Sequence, residues 1–256
     1  MSAMQGAIYP DLEGKAVIVT GGASGIGEAI VRQFARQRSK TAFLDLKIED
    51  GRRLAESLGG KSRDIHFEAC DITDVAALRR AIAKIRSFIG PISILINNAG
   101  HDERHRAEEV TPEFFDDRIA VNLKHQFFAS QAVLEDMKAL GGGTIVNMGS
   151  ISWMIGGGGM AIYTAAKSAV IGLTRSLARD YGPFNIRVNA VAPGWIMTTR
   201  QIERWLTPEG EERIMTQQCL KRKLVPDDIA RFTVFLASDE AGACTAQHYV
   251  VDGGWA

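Results

Sequence analysis

Along the 256-residue chain, short apolar runs rich in β-branched residues alternate with longer stretches whose apolar positions recur at helical spacing. "AVIVT" (16–20) leads into "GIGEAIVRQFARQ" (25–37), where Ile26, Ile30, Val31 and Phe34 fall at that spacing. "TAFLD" (41–45) precedes a helical pattern over 50–59, and "IHFEAC" (65–70) precedes one over 74–90. "SILINNA" (93–99) leads to a long helix over roughly 111–140, with Thr111 as N-cap and Pro112 in its first turn. The alternation runs on through "GTIVNMGS" (143–150), a helix over 162–181, "IRVNAVAPG" (186–194), a helix over 226–238 and a last strand in "QHYVVDGG". The segment 194–222 stands outside the alternation as an insertion.

Strands that are apolar without alternation are buried on both faces, which predicts a parallel sheet. Strict β-α alternation with right-handed crossovers then gives one α/β domain over residues 1–256, a doubly wound and mostly seven-stranded parallel sheet with helices on both faces. Composition agrees: 46% apolar and 23% charged residues are an ordinary globular balance, and the length supports a covered sheet without disulfide or metal staples. Thirty basic residues against thirty acidic ones leave no net charge. No basic stripe points to nucleic acid and no basic amphipathic segment to a lipid surface. Cys70, Cys219 and Cys244 are scattered, odd in number and at no zinc spacing, so a reducing compartment and no metal are expected. "MSAMQGAIYPDLEGK" has no apolar signal core, and apolar runs such as "ISILI" fall far short of the roughly 20 residues that span a bilayer. The expected location is cytoplasmic.

The first strand runs straight into "TGGASGIG", with Gly21, Gly25 and Gly27 spaced G-x-x-x-G-x-G between a strand and a helix. Glycines there permit a tight turn and close approach of backbone to a pyrophosphate, whose charge suits the helix N-terminus. This reads as a Rossmann-type dinucleotide site. Asp45 ends the second strand, where an acid binds a ribose diol and repels a 2′-phosphate, so the cofactor expected is NAD, although Lys47 lies close by. Further on, Tyr163 and Lys167 are four apart on a helix, stacked on one face. A nearby ammonium favours the phenolate of a phenol whose free pKa is about 10, a base for work near neutral pH; the same spacing also fits a half-buried Tyr beside a solvated Lys.

In their order and spacing, "TGGASGIG", "CDIT", "NNAG", "MGSIS", "YTAAK" and "NAVAPGWIMT" resemble the short-chain dehydrogenase/reductase superfamily over essentially the whole chain. The resemblance implies a tetrad of Asn122, Ser150, Tyr163 and Lys167, with Asn122 holding a water that passes the proton outward. Ser150, thirteen residues before Tyr163, is preferred over Ser152. It implies that Gly21, Ser24, Gly25, Ile26 and Gly27 hold the pyrophosphate, Asp45 the adenosine ribose, and Asp71 and Ile72 the adenine. Asn98, Ala99 and Gly100 would pass along the cofactor, Asn97 would tie the central strands, and Pro193, Gly194, Ile196 and Thr198 would line the nicotinamide end. A homotetramer packed through the two long helices is also implied.

A narrower resemblance joins "NNAGHDERH", "NMGSISW", "RQIERWLTPEGE" and "QCLKRKLVP" to the sugar-oxidising branch, above all bacterial D-xylose 1-dehydrogenases. It implies NAD-dependent oxidation of an aldose at C1 to the lactone, with Tyr163 as base. Asp102, His105, Ser150, Trp153, Trp195, Arg200 and Gln201 are the candidate substrate residues, and 194–222 the substrate lid. Gly156 to Gly159 depart from the family pattern and leave the particular sugar open. "HDERH" also reads as a solvated loop, and Trp205 as core packing. A polyol, steroid or 3-oxoacyl substrate and an inactive dinucleotide sensor stand as alternatives.

Overall fold

A computed structural model describes residues 6–59 and 64–256; the first residues of the N-terminal stretch read for a signal core, 1–5, lie outside the described residues. Seven strands form one sheet: β1 (Ala16–Thr20), β2 (Lys40–Asp45), β3 (Ile65–Ala69), β4 (Ile94–Asn97), β5 (Gly143–Met148), β6 (Ile186–Pro193) and β7 (His248–Val251). Their order is β3-β2-β1-β4-β5-β6-β7, and every pairing is parallel.

The lack of polar alternation in the strands follows from having two cores. Successive side chains of a strand point to opposite faces. Val17 and Val19 of β1 meet Ile30 and Phe34 of α1 (Gly25–Arg36), which packs with α9 (Pro226–Ala237). Ile18, between them, meets the other core, with Ile82 of α3 (Val75–Ile89), Val133 of α5 (His125–Ala139) and Leu177 of α6 (Ala161–Tyr181). Each such fully buried side chain contributes about 1.5–3 kcal/mol, so a polar residue in the central strands must be paired. Asn97 of β4 donates to Asn147 Oδ1 of β5 at 2.8 Å, and Asn147 Nδ2 donates to Thr174 Oγ1 of α6 at 3.0 Å. Asn97 thus ties the central strands as expected.

The helix expected over 111–140 is interrupted. It runs as α4 (Pro112–Ile119), a π-helical turn (Ala120–Lys124) and α5. Asn122 sits in the wide turn, fully buried, and its amide donates to Arg118 O at 2.9 Å. The remaining helices are α2 (Ile48–Ser57) and, within the 194–222 segment, α7 (Thr199–Arg204) and α8 (Pro208–Gln217). Thr198 and Thr207 cap the last two, each accepting a backbone N–H. No described helix is long and apolar enough to cross a membrane. Strand order reverses between β1 and β4, so the connections leaving their C-terminal ends diverge and open the crevice where doubly wound sheets bind ligands.

Candidate active site

The turn after β1 is held rigid from three sides. Gly21 N donates to Leu44 O at 2.7 Å, and Asn98 Nδ2 donates to the Thr20 and Gly21 carbonyls at 3.0 Å each. Asp45 Oδ2 accepts from Ala23 N at 2.9 Å while its Oδ1 accepts from Lys47 N at 2.9 Å. Two positions demand glycine. Gly21 has φ of 66°, and a Cβ there would lie 2.8 Å from Ala99 Cα; a Cβ on Gly27 would lie 1.9 Å from Gly21 O.

These residues fit a dinucleotide. The bare turn leads into the N-terminus of α1, where Ser24 is the N-cap and its side chain caps no backbone N–H. Each Asp45 carboxylate oxygen accepts one backbone bond and keeps a further lone pair for a ribose hydroxyl. Asp71 and the buried Ile72 lie just past the end of β3, which pairs with β2 up to Asp45. Thr198, expected at the nicotinamide end, reaches back to the turn: its Cγ2 would stand 3.2 Å from a Cβ on Gly25. Gly194 N donates to Val251 O at 3.1 Å, and Ile196 bridges to Leu224, which fixes the exit from β6.

Beyond the turn, Lys167 and Asn122 meet at Gly100, with Tyr163 beside Lys167 and Ser150 beside Tyr163. A Cβ on Gly100 would lie 3.0 Å from Lys167 Nζ and 3.1 Å from Asn122 Oδ1. Lys167 is almost fully buried; its ammonium donates to Met148 O at 2.9 Å and, among the described residues, to nothing else. Burial pushes its pKa down to about 8. Tyr163 hydrogen-bonds Ser150, whose Oγ also accepts from Ser152 N at 3.1 Å.

Here the structure departs from the simple spacing argument. Burial, then the charge of Asp102, push the Tyr163 phenol up to about 12, against the Ser150 hydrogen bond, Arg104 and Arg200. Among the described residues, the Lys167 ammonium makes no hydrogen bond to the phenol. Its Nζ lies over the ring, 5.7 Å from the centroid, and is turned to Met148 O rather than to the phenol oxygen.

The candidate substrate residues divide into two sets. Asp102, Arg200 and Gln201 come together: Gln201 Nε2 donates to Asp102 Oδ2 at 2.6 Å, and Arg200 Nη2 lies 3.2 Å from Asp102 Oδ1. His105 instead has both ring nitrogens turned to backbone, Nδ1 at 3.1 Å from Glu103 O and Nε2 accepting from Ile162 N at 3.5 Å, one residue before Tyr163. Trp153 is exposed and lies against His248, with ring centroids 5.9 Å apart. Trp195 has a buried indole N–H with no partner among the described residues. Trp205, expected to pack, lies under the Arg104 guanidinium at 5.4 Å.

His101 entered the sequence reading only as part of the charged run "HDERH", and His125 not at all. His101 exchanges backbone bonds with Asn122, its N donating to Oδ1 at 2.8 Å and its O accepting from Nδ2 at 3.0 Å. Its ring lies between Arg118 and Arg200. His125, fully buried, is held neutral by burial and by the Lys167 charge, with its pKa pushed down to about 3. The adjoining "NNAGH" was a signal for His101; the three-residue step from Asn122 was the only one for His125.

Comparison with known proteins gives the same picture. Residues 21–256 match the family model described as Enoyl-(Acyl carrier protein) reductase. The chain is 46% identical over 252 residues to D-xylose 1-dehydrogenase of Caulobacter vibrioides, covering 98% of this chain and 100% of that one. It is 45% identical to the probable galactose dehydrogenase GalD of Rhizobium meliloti, covering 96% of each. The crystal structure of gox2181 superimposes with a TM-score of 0.90 at 31% identity, covering 96% of this chain and 98% of that one. Matches of this breadth, on a sheet whose switch point carries the dinucleotide turn, show that the chain belongs to the short-chain dehydrogenase/reductase superfamily.

Proposed function

We propose that the protein oxidises an aldose at C1 to the lactone, with NAD as its cofactor and a pentose such as D-xylose as the substrate class. The observation that carries this reading is the convergence of Ser150, Tyr163 and Lys167 beside the dinucleotide turn, at the carboxyl ends of β4 and β5. Bound NAD supplies the acceptor for the hydride that leaves C1. Tyr163, as the phenolate, takes the proton of the C1 hydroxyl, and Ser150 donates a hydrogen bond to the same oxygen and fixes it within reach. Lys167 has N–H donors left for the cofactor ribose and for a water. Asn122 Oδ1 and Lys167 Nζ meet on one side of Gly100, as an outward proton path needs.

A sugar is the reading favoured by the polar wall opposite this cluster. Asp102, Arg200 and Gln201 offer charged and amide groups for its hydroxyls. The relatives named for D-xylose and galactose support the class and differ on the sugar. Residues 194–222 act as the lid of a single catalytic domain. Three free cysteines suit a reducing cytoplasm. The assembly proposed is a homotetramer, packed through the helices around α4–α5 and α6. A panel of aldoses and polyols, assayed for NADH formation with NADP run in parallel, tests the reading. NADH is expected with pentoses; formation with no aldose would refute it.

A further inference from the structure

We infer that Arg200 is a positioning residue for proton transfer: seated on Asp102, it sets the net charge that this wall of the site presents to Tyr163. The inference rests on the reading of Tyr163 as the base.

Asp102 follows the end of β4 and Arg200 lies on α7, ninety-eight residues away, so their pairing joins the 194–222 segment to the wall of the site. The pairing is built from several contacts. Arg200 Nε donates to Asp102 Oδ1 at 3.3 Å, Nη2 lies 3.2 Å from the same oxygen, and Gln201 Nε2 holds the other oxygen at 2.6 Å. Arg200 is steadied in turn by Nη1 against His101 Nε2 at 2.6 Å and by Glu103 at 3.6 Å. The pair is shielded, with Asp102 at 16% and Arg200 at 31% side-chain exposure, so its field is weakly screened.

The charged and titratable groups that face the phenol are few. Lys167 comes from its own helix, Asp102 and Arg104 from the connection after β4, and Arg200 from α7; Ser150 adds a neutral hydrogen bond. Asp102 opposes the phenolate, while Arg200 and Arg104 favour it. Asp102 also favours the Lys167 ammonium. Asp102 and Arg200 together present a nearly neutral dipole to Tyr163, whereas either one alone presents a full charge. If the segment lifts away, Arg200 goes with it and Asp102 is left facing the phenol. Seating of the segment therefore sets the acidity of the base. His101, next to Arg200, is held below its ordinary pKa by burial and by the two guanidiniums, so its titration lies on the acid side.

The test is the pH profile of kcat at saturating NAD and sugar for Arg200→Gln, Asp102→Asn, the double variant and Arg200→Lys, each first checked for a cooperative melt. An uncompensated charge close to an ionisable group moves its pKa by about one unit or more. Arg200→Gln is expected to move the profile about one pH unit alkaline and Asp102→Asn about one unit acid, because phenol and ammonium shift together. The double variant should return close to the wild-type position, and Arg200→Lys should stay near it. If one single variant fails to fold, the other decides: it should shift in its stated direction while the double variant does not. Profiles that keep their position while KM or peak height changes would overturn the inference and leave Tyr163 as the base. A Tyr163→Phe protein whose residual kcat still falls toward acid pH along the wild-type curve would instead overturn the reading beneath it.

Discussion

Replacing Lys167 with Met should make the protein more stable while removing its activity. The ammonium is buried, and its pKa falls from the ordinary 10.5 to about 8 through desolvation. At about 1.4 kcal/mol per pH unit, that drop corresponds to roughly 3 kcal/mol by which the folded state is destabilised when the group is charged. Methionine has nearly the same length and needs no proton, but it abandons the hydrogen bond to Met148 O, a loss of about 1–2 kcal/mol. The net gain at neutral pH is about 1–2 kcal/mol, or a Tm rise of a few degrees for a chain of this length, roughly 2–4 °C per kcal/mol. The sign reverses with pH in a defined window. Below about pH 8 the ammonium is charged in both states and the full penalty acts on the wild type. Above it the folded chain releases the proton while the unfolded chain still holds it, so wild-type stability rises until pH 10.5, where the wild type is the more stable by about the lost hydrogen bond. Thermal melts of both proteins from pH 6 to about 10.5, at one protein concentration, check this. A variant that melts lower at pH 7, or a difference that does not change with pH, would refute the argument from burial.

Asp45→Ala should raise KM for NAD by about 10- to 100-fold, the loss of one charge-assisted hydrogen bond, and shift preference toward NADP beside Lys47; parallel NAD and NADP kinetics decide it. Asn122→Ala removes bonds to His101 N, His101 O and Arg118 O in a fully buried turn, so a loss of about 2–4 kcal/mol in chemical denaturation is expected, together with lower turnover.

The layered fold was legible because burial on two faces leaves an unbroken apolar run, as in Val17, Ile18 and Val19, and because each run is followed by a helical period. The break in the long helix was not. No glycine or interior proline marks Ala120–Lys124; the π-turn depends on Asn122 finding partners at His101, which is distant in sequence. The i, i+4 step from Tyr163 to Lys167 gave their proximity but not the direction of the ammonium, which Met148 O sets from a neighbouring strand. In the same way, "HDERH" marked a charged rim without showing that Asp102 turns to α7 while His105 turns to the start of α6. Pairings across ninety-eight residues carry no local sequence signal.

The central claim, that the Tyr163 phenolate removes the substrate proton, is tested most directly by Tyr163→Phe, which deletes one oxygen and leaves the ring in place. The account predicts unchanged NAD affinity by fluorescence titration, a wild-type melt and a kcat lowered by about 10²–10⁴-fold, the contribution of a positioned base. A folded Tyr163→Phe protein that binds NAD and turns over at close to the wild-type rate would contradict it.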